Sequence, residues 1–169
     1  SENWPKVERF ILYLFSRLVY SSSNRIIVTT ERIAEFISKK FSISSDKIYA
    51  LPNLIDTKLF AVNNKDTLFK KRVIFIGRLT REKNLFSLIE ASRKISVGVD
   101  LVGQGDLMPK LKEAAERINA DVNFLGNYPN GELPSVIAKY PIFILPSFYE
   151  GNPKALLEAM SCGRAVVGT

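Results

Sequence analysis

The chain has 169 residues, room for one ordinary domain or one and a fraction, and its 46% hydrophobic content excludes intrinsic disorder. It contains no histidine and a single cysteine, Cys162, which excludes histidine-based catalysis, zinc binding through histidine and any disulfide within the chain, and makes a reducing cytosol the default compartment. A net charge of +7 favours anionic partners such as phosphates, nucleic acid or acidic lipid without choosing among them, and a solvated basic surface accounts for it equally well.

The opening SENWPKVERF lacks the basic stretch and apolar core of a signal peptide. A helix is predicted from about Trp4 to Tyr20, stopped by the polar run SSSN. Its segment VERFILYLFSRLVY carries Glu8, Arg9 and Arg17 and falls short of the roughly 20 residues that span a bilayer. It reads as a helix burying one broad face, with a helix lying on a membrane surface as the alternative. RIIVTT is a short β-branched strand. ERIAEFISKKF is an amphipathic helix with Ile33, Phe36, Ile37 and Phe41 at helical spacing, and KIYALPN is another short strand. The polar, irregular stretch that follows reads as a connector.

After Lys71 strands and helices alternate. The predicted strands are RVIFIG, VDLVG, VNFLG, IFILPS and AVVGT; the helices between them are NLFSLIEASRKI, DLMPKLKEAAERI, a short one around Leu133 to Ala138, and PKALLEAM. The strands are continuous apolar runs, as expected when both faces of a sheet are covered. The fold class is therefore α/β, a Rossmann-like parallel sheet with helices on both faces, incomplete at both ends. The expected organisation is a tail of one unit over 1–58, a connector over 59–71 and a nearly complete Rossmann-like unit over 72–169.

Ligands of such sheets bind outside the carboxyl ends of the strands. The residues there are Gly77, Arg78 and Lys83; Gly103, Gln104 and Gly105; Asn127 and Tyr128; and Ser147, Tyr149, Glu150, Gly151 and Asn152. In GRLTREKN, Asn84 is a good helix N-cap, and the helix start with Arg78 and Lys83 suits an anion. Neither a P-loop nor a GxGxxG fingerprint is present, so a solvated basic loop remains open. In EGNPKALLE, Pro153 suits the first helical turn, and Gly151 permits close backbone approach or positive φ. The N–H groups of Gly151, Asn152 and Lys154 face an anion or a sugar hydroxyl in that reading. Glu158 sits among apolar residues two turns into the helix; either a vicinal diol satisfies it or it faces water and pairs with Lys154. Cys162, just before Gly163, reads as a small packing residue.

Taken in order, VIFIGRLTREKN, LVGQGD, VNFLGNY and PSFYEGNPKALLEAMSCGRAVVGT resemble the C-terminal, donor-binding half of retaining glycosyltransferases of family 4, the group 1 set with the GT-B fold. The earlier NRIIVTTERIAEFI and DKIYALPNLIDTKLF are similar to the end of the N-terminal half and the linker, although PNLID stands where the family usually has Pro-Asn-Gly-Val-Asp. The resemblance implies a nucleotide-diphosphate sugar (UDP-, GDP- or ADP-sugar) as donor, transfer with retention, no required cofactor and no metal. It implies that Arg78 and Lys83 hold the diphosphate and that Glu150 contacts the donor sugar. Gly77, Gly103, Gly151, Asn152, Pro153 and Lys154 are then donor-binding positions, Asn127 and Tyr128 flank the base, and Glu158 binds the ribose diol. The implied acceptor is a carbohydrate or a lipid-linked sugar. The missing N-terminal half is a necessary partner, and the fragment alone is expected to transfer poorly. A cytoplasmic location is implied, with peripheral contact at the cytosolic face of a membrane compatible with the basic charge. A non-catalytic nucleotide-binding module is the alternative; nucleic-acid binding is disfavoured because the cations gather at strand ends.

Overall fold

The computed structural model describes residues 5–62 and 70–169, so Trp4 and the middle of the predicted connector lie outside the described residues. The chain divides into two compact units, residues 1–53 and 54–169.

In the first unit, helix α1 (Lys6–Ser22), strand β1 (Ile26–Val28), helix α2 (Glu31–Phe41) and strand β2 (Ile48–Ala50) follow in order, and β1 pairs with β2 in parallel. The Thr30 hydroxyl accepts from the Ile33 N–H at 3.3 Å and caps α2. Ile26, Val28, Ile37, Phe41 and Ile43 form the core. Tyr13 stacks on Phe41 at 5.3 Å and Tyr20 meets the same ring edge-on at 5.1 Å. The serines expected to stop α1 instead close its last turn: the Ser21 and Ser22 hydroxyls donate to the Leu18 carbonyl at 3.0 and 2.8 Å. The broad apolar face of α1 lies open in this chain. None of its described residues is buried, and Val7, Phe10, Ile11, Phe15 and Leu18 are exposed.

The second unit is a five-stranded, all-parallel sheet with helices on both faces, and it follows the predicted alternation. Its elements are β3 (Arg72–Ile76), α3 (Leu85–Ile95), β4 (Gly98–Val102), α4 (Met108–Arg117), β5 (Val122–Gly126), α5 (Leu133–Ile137), β6 (Ile142–Leu145), α6 (Lys154–Ser161) and β7 (Ala165–Gly168). The strand order β5-β4-β3-β6-β7 places the first strand at the centre. The chain winds outward from β3 on one side, then returns to its other side at β6. With right-handed crossovers this puts α3 and α4 on one face and later helices on the other. The reversal between β3 and β6 is a topological switch point, which opens a crevice at the carboxyl ends of those strands.

The core is built from Ile74, Phe75, Val99, Leu101, Phe143 and their neighbours. Phe60, read in the sequence as connector, is buried in this core, and the Ser161 hydroxyl donates to its carbonyl. Ser92, Asp100, Ser147 and Glu158 are the buried polar residues among those described. Asp100, inside β4, is fully buried and accepts from Arg72 Nε at 2.5 Å, Asn123 Nδ2 at 2.8 Å and Tyr140 Oη at 2.5 Å. Burial alone would raise its pKa, but the hydrogen bonds from Tyr140, Arg72 and Asn123 outweigh this and hold it below the ordinary value. The same environment pushes Tyr140 up: burial first, then the hydrogen bond to the carboxylate.

Candidate functional site

The loops after β3 and β4 interlock backbone to backbone. The Gly77 N–H donates to the Val102 carbonyl at 3.0 Å, the Gly103 N–H to Gly126 at 2.8 Å and the Leu79 N–H to Gln104 at 2.9 Å. A Cβ on Gly103, where φ is +133°, would lie 1.9 Å from the Gly77 carbonyl oxygen; one on Gly105 would lie 2.4 Å from that of Leu79. Both glycines are therefore dictated by the approach of neighbouring loops. Beside them opens a pocket of about 350 Å³ at the carboxyl edge of the sheet, lined by Gly77, Arg78, Gly103, Gln104, Asn127 and Tyr128 among others. Five of these residues are candidates from the sequence; Gln104 was seen there as part of a loop.

A second group forms where the β3 and β6 loops meet. Lys83 closes a 3₁₀ turn, Arg81–Lys83. Its Nζ lies 2.5 Å from Glu150 Oε1, and both side chains are largely buried. The Ser147 hydroxyl donates to the same oxygen at 2.6 Å. The Phe148 N–H donates to the Glu82 carbonyl at 2.9 Å and ties the two loops together. The Arg78 side chain is 78% exposed and approaches Glu82 Oε1 at 3.5 Å. The Thr80 hydroxyl reaches that oxygen at 2.7 Å and is the main reason the Glu82 pKa lies below its ordinary value. Asn84 departs from the sequence expectation. It stands at the start of α3 in the left-handed region, with φ 52°, and makes no side-chain cap. Its side-chain Oδ1 instead accepts from the Ser87 hydroxyl at 2.8 Å.

The third group is at the start of α6. Pro153 occupies the N-cap position, one residue before the predicted first turn, and no side chain caps the helix. The first-turn donors and the helix dipole thus suit an anion. Gly151 is exposed while Asn152 and Pro153 are half-buried. Glu158 is only 4% exposed, so the solvated alternative does not hold. Lys154 Nζ lies 3.3 Å from its Oε1, the expected pairing across one turn, but without hydrogen-bond geometry. That oxygen is buried with no hydrogen-bond partner among the described residues. A buried carboxylate oxygen left this way calls for donors from elsewhere. Cys162, at the end of α6, is buried, and burial pushes its thiol pKa up.

The predicted residues therefore fall into three groups at one edge of the sheet: the pocket, the Lys83–Glu150 pair and the Lys154–Glu158 turn. Neither Lys83, Glu150 nor Glu158 lines the pocket itself. Sequence reasoning placed Ser147 after its strand but gave it no role, although it lies one short loop from Glu150. Glu82 and Thr80 were passed over because only the cations of GRLTREKN were weighed. The Asp100 network left one trace, a charge inside VDLVG.

Over residues 70–169 the chain matches the family described as Glycosyl transferases group 1. It is 32% identical over 160 residues to the UDP-Gal:alpha-D-GlcNAc-diphosphoundecaprenol alpha-1,3-galactosyltransferase of Escherichia coli, an alignment covering 83% of this chain and 41% of that protein. It is 28% identical over 156 residues to the N-acetylgalactosamine-N,N'-diacetylbacillosaminyl-diphospho-undecaprenol 4-alpha-N-acetylgalactosaminyltransferase of Campylobacter jejuni, covering 90% of this chain and 43% of that one. The chain thus spans less than half the length of these curated relatives. Among solved structures it is similar to HepE of Anabaena in complex with UDP-glucose, with a TM-score of 0.79 at 20% identity over 93% of this chain and 48% of that one. It is also similar to TarM of S. aureus, with a TM-score of 0.77 at 21% identity over 98% of this chain and 32% of that one. At such identities the structural likeness speaks to the fold. The family match takes in more than half of the sequence, including all three groups of site residues, and the chain belongs to the glycosyl transferases of group 1.

Proposed function

We propose that residues 54–169 form the donor-binding portion of a retaining glycosyltransferase that uses a nucleotide-diphosphate sugar, and that residues 1–53 are the close of its N-terminal half. The observation that carries this reading is the gathering of Lys83, Glu150 and Ser147 at the switch point between β3 and β6, beside an open pocket. In this reading the base lies by Asn127 and Tyr128, and the under-satisfied Glu158 takes both hydroxyls of the ribose. Gly77, Gly103, Gly151, Asn152 and Pro153 let the backbone approach the donor, and Lys154 shifts toward a phosphate when Glu158 finds its diol. As the bond from the anomeric carbon to the diphosphate oxygen breaks, the electron pair leaves with the diphosphate. Arg78 and Lys83 offset that charge, and Glu150 holds the donor sugar. The acceptor oxygen bonds to the same face of the anomeric carbon and gives its proton to the departing diphosphate oxygen on that face. No metal is invoked for these steps.

We favour UDP as the nucleotide, on the ground that the similar HepE structures hold UDP or UDP-glucose. The relatives' names carry sugars on diphospho-undecaprenol, which supports a lipid-linked acceptor at a membrane face. The test is proton NMR of the product made when this chain is joined to an N-terminal half and given UDP-sugar and a diphosphate-lipid acceptor. The reading predicts a product with the anomeric configuration of the donor, formed in the presence of chelator and reduced at least 100-fold by Lys83→Ala. An inverted product contradicts it.

A further inference from the structure

We infer that Ser147 is a positioning residue that fixes which oxygen of Glu150 is presented to the donor sugar. The inference rests on the reading of Glu150 given above. Ser147 is buried at the end of β6. Its hydroxyl donates to Glu150 Oε1 at 2.6 Å, and Lys83 Nζ lies 2.5 Å from that same oxygen. Its own carbonyl accepts from the Thr169 hydroxyl, just beyond β7, at 2.6 Å. The next residue, Phe148, is held by its N–H on the Glu82 carbonyl. Ser147 is thus fixed through its backbone to two neighbouring segments before its side chain reaches Glu150.

Both donors converge on Oε1. A carboxylate accepts through two oxygens, so engaging one from two directions orients the group and leaves Oε2 as its acceptor for a ligand. Lys83 alone does not fix that orientation. An ammonium on a flexible stem is a point charge, and it is also the group assigned to the diphosphate. When Lys83 turns to phosphate, Ser147 is the donor that stays. It is a neutral group on a fixed strand end, and it adds no charge competing for the phosphates. The chemistry it serves is recognition of a sugar hydroxyl and not of the nucleotide.

This separates two affinities. Calorimetry on the chain measures a nucleoside diphosphate from the set UDP, GDP and ADP, then the glucose, galactose and N-acetylglucosamine forms of the one that binds. Ser147→Ala is expected to leave the nucleoside diphosphate affinity unchanged while lowering the added affinity of the preferred nucleotide sugar about 3- to 10-fold. Ser147→Thr, which keeps the hydroxyl, is expected to restore part of it. A second measurement needs no ligand: the fall in urea midpoint caused by Ser147→Ala should largely vanish in a Glu150→Ala background, which removes the accepting oxygen. An unchanged ratio of nucleotide-sugar to nucleotide affinity overturns the inference, as does an equal loss of both. Failure of the unsubstituted chain to bind any nucleotide overturns the reading of the site on which it rests.

Discussion

Glu158 is a buried carboxylate that the proposed ribose diol would complete. Its buried Oε1 lacks a hydrogen-bond partner, and the nearby Lys154 is half in solvent. Its Oε1 is ion-paired with Lys154 without a hydrogen bond, and in the proposed reading the ribose hydroxyls supply the donors. Glu158→Ala should therefore lower nucleotide affinity about 10- to 100-fold, while thermal unfolding shows Tm unchanged or raised. A Tm falling by more than a few degrees would mean that Glu158 is a structural residue. Cys162 gives a contrasting case. It is buried with its pKa raised, so it should resist alkylation in the native protein and react once urea unfolds the chain. Of these two, the packing role of Cys162 was legible in the sequence because a small residue before a helix-ending glycine has few other uses. Glu158 was legible only as a charge among apolar neighbours, since sequence spacing says which residues share a helix face but not whether that face is covered.

At the scale of elements, the Asp100 network fastens β3, β4 and β5 to Tyr140, two residues before β6. Asp100→Asn should destabilise the fold by about 2–4 kcal/mol, because Arg72 and Tyr140 lose the charge they surround. The native carboxyl binds its proton more weakly than the unfolded one. Its contribution is complete above about pH 5 and is lost as pH falls through the unfolded and then the native value. Tyr140 works in the opposite sense: its raised native pKa gives a contribution complete below about pH 9 and lost as pH rises beyond about 10. Urea unfolding across pH should show both edges, with Asp100→Asn flattening the acid one and Tyr140→Phe the alkaline one. The strands and helices of this unit were readable because each apolar run has one period and each is punctuated by glycine, asparagine or proline. The network was not, because its members come from four segments and only the strand order brings them together. Helix α1 reads in the sequence as burying a broad face against a fuller N-terminal half and as exposing it without that half, and in this chain Ile11, Phe15 and Leu18 are exposed. A patch of this kind promotes association, so light scattering should find self-association that is reduced by Phe15→Lys with Leu18→Glu.

For the molecule as a whole, the crevice comes from the winding of the chain and its chemistry from the loops that the winding collects. Strand alternation announced the sheet, and the four motif blocks name the loops proposed to carry the site. The pairing of Lys83 with Glu150 depends on β3 and β6 becoming neighbours although 70 positions separate their first residues, Arg72 and Ile142. That adjacency is a property of topology and not of local sequence. The account's central claim is that this edge of the sheet holds a nucleotide-diphosphate sugar. Calorimetric titration with UDP, GDP and ADP, with and without Mg²⁺, on the chain and on its Glu158→Ala and Arg78→Ala variants tests it most directly. The account predicts saturable binding of one nucleotide, UDP before the others, indifferent to the metal and weakened in both variants. Absence of binding to all three, or binding that neither variant weakens, would contradict it.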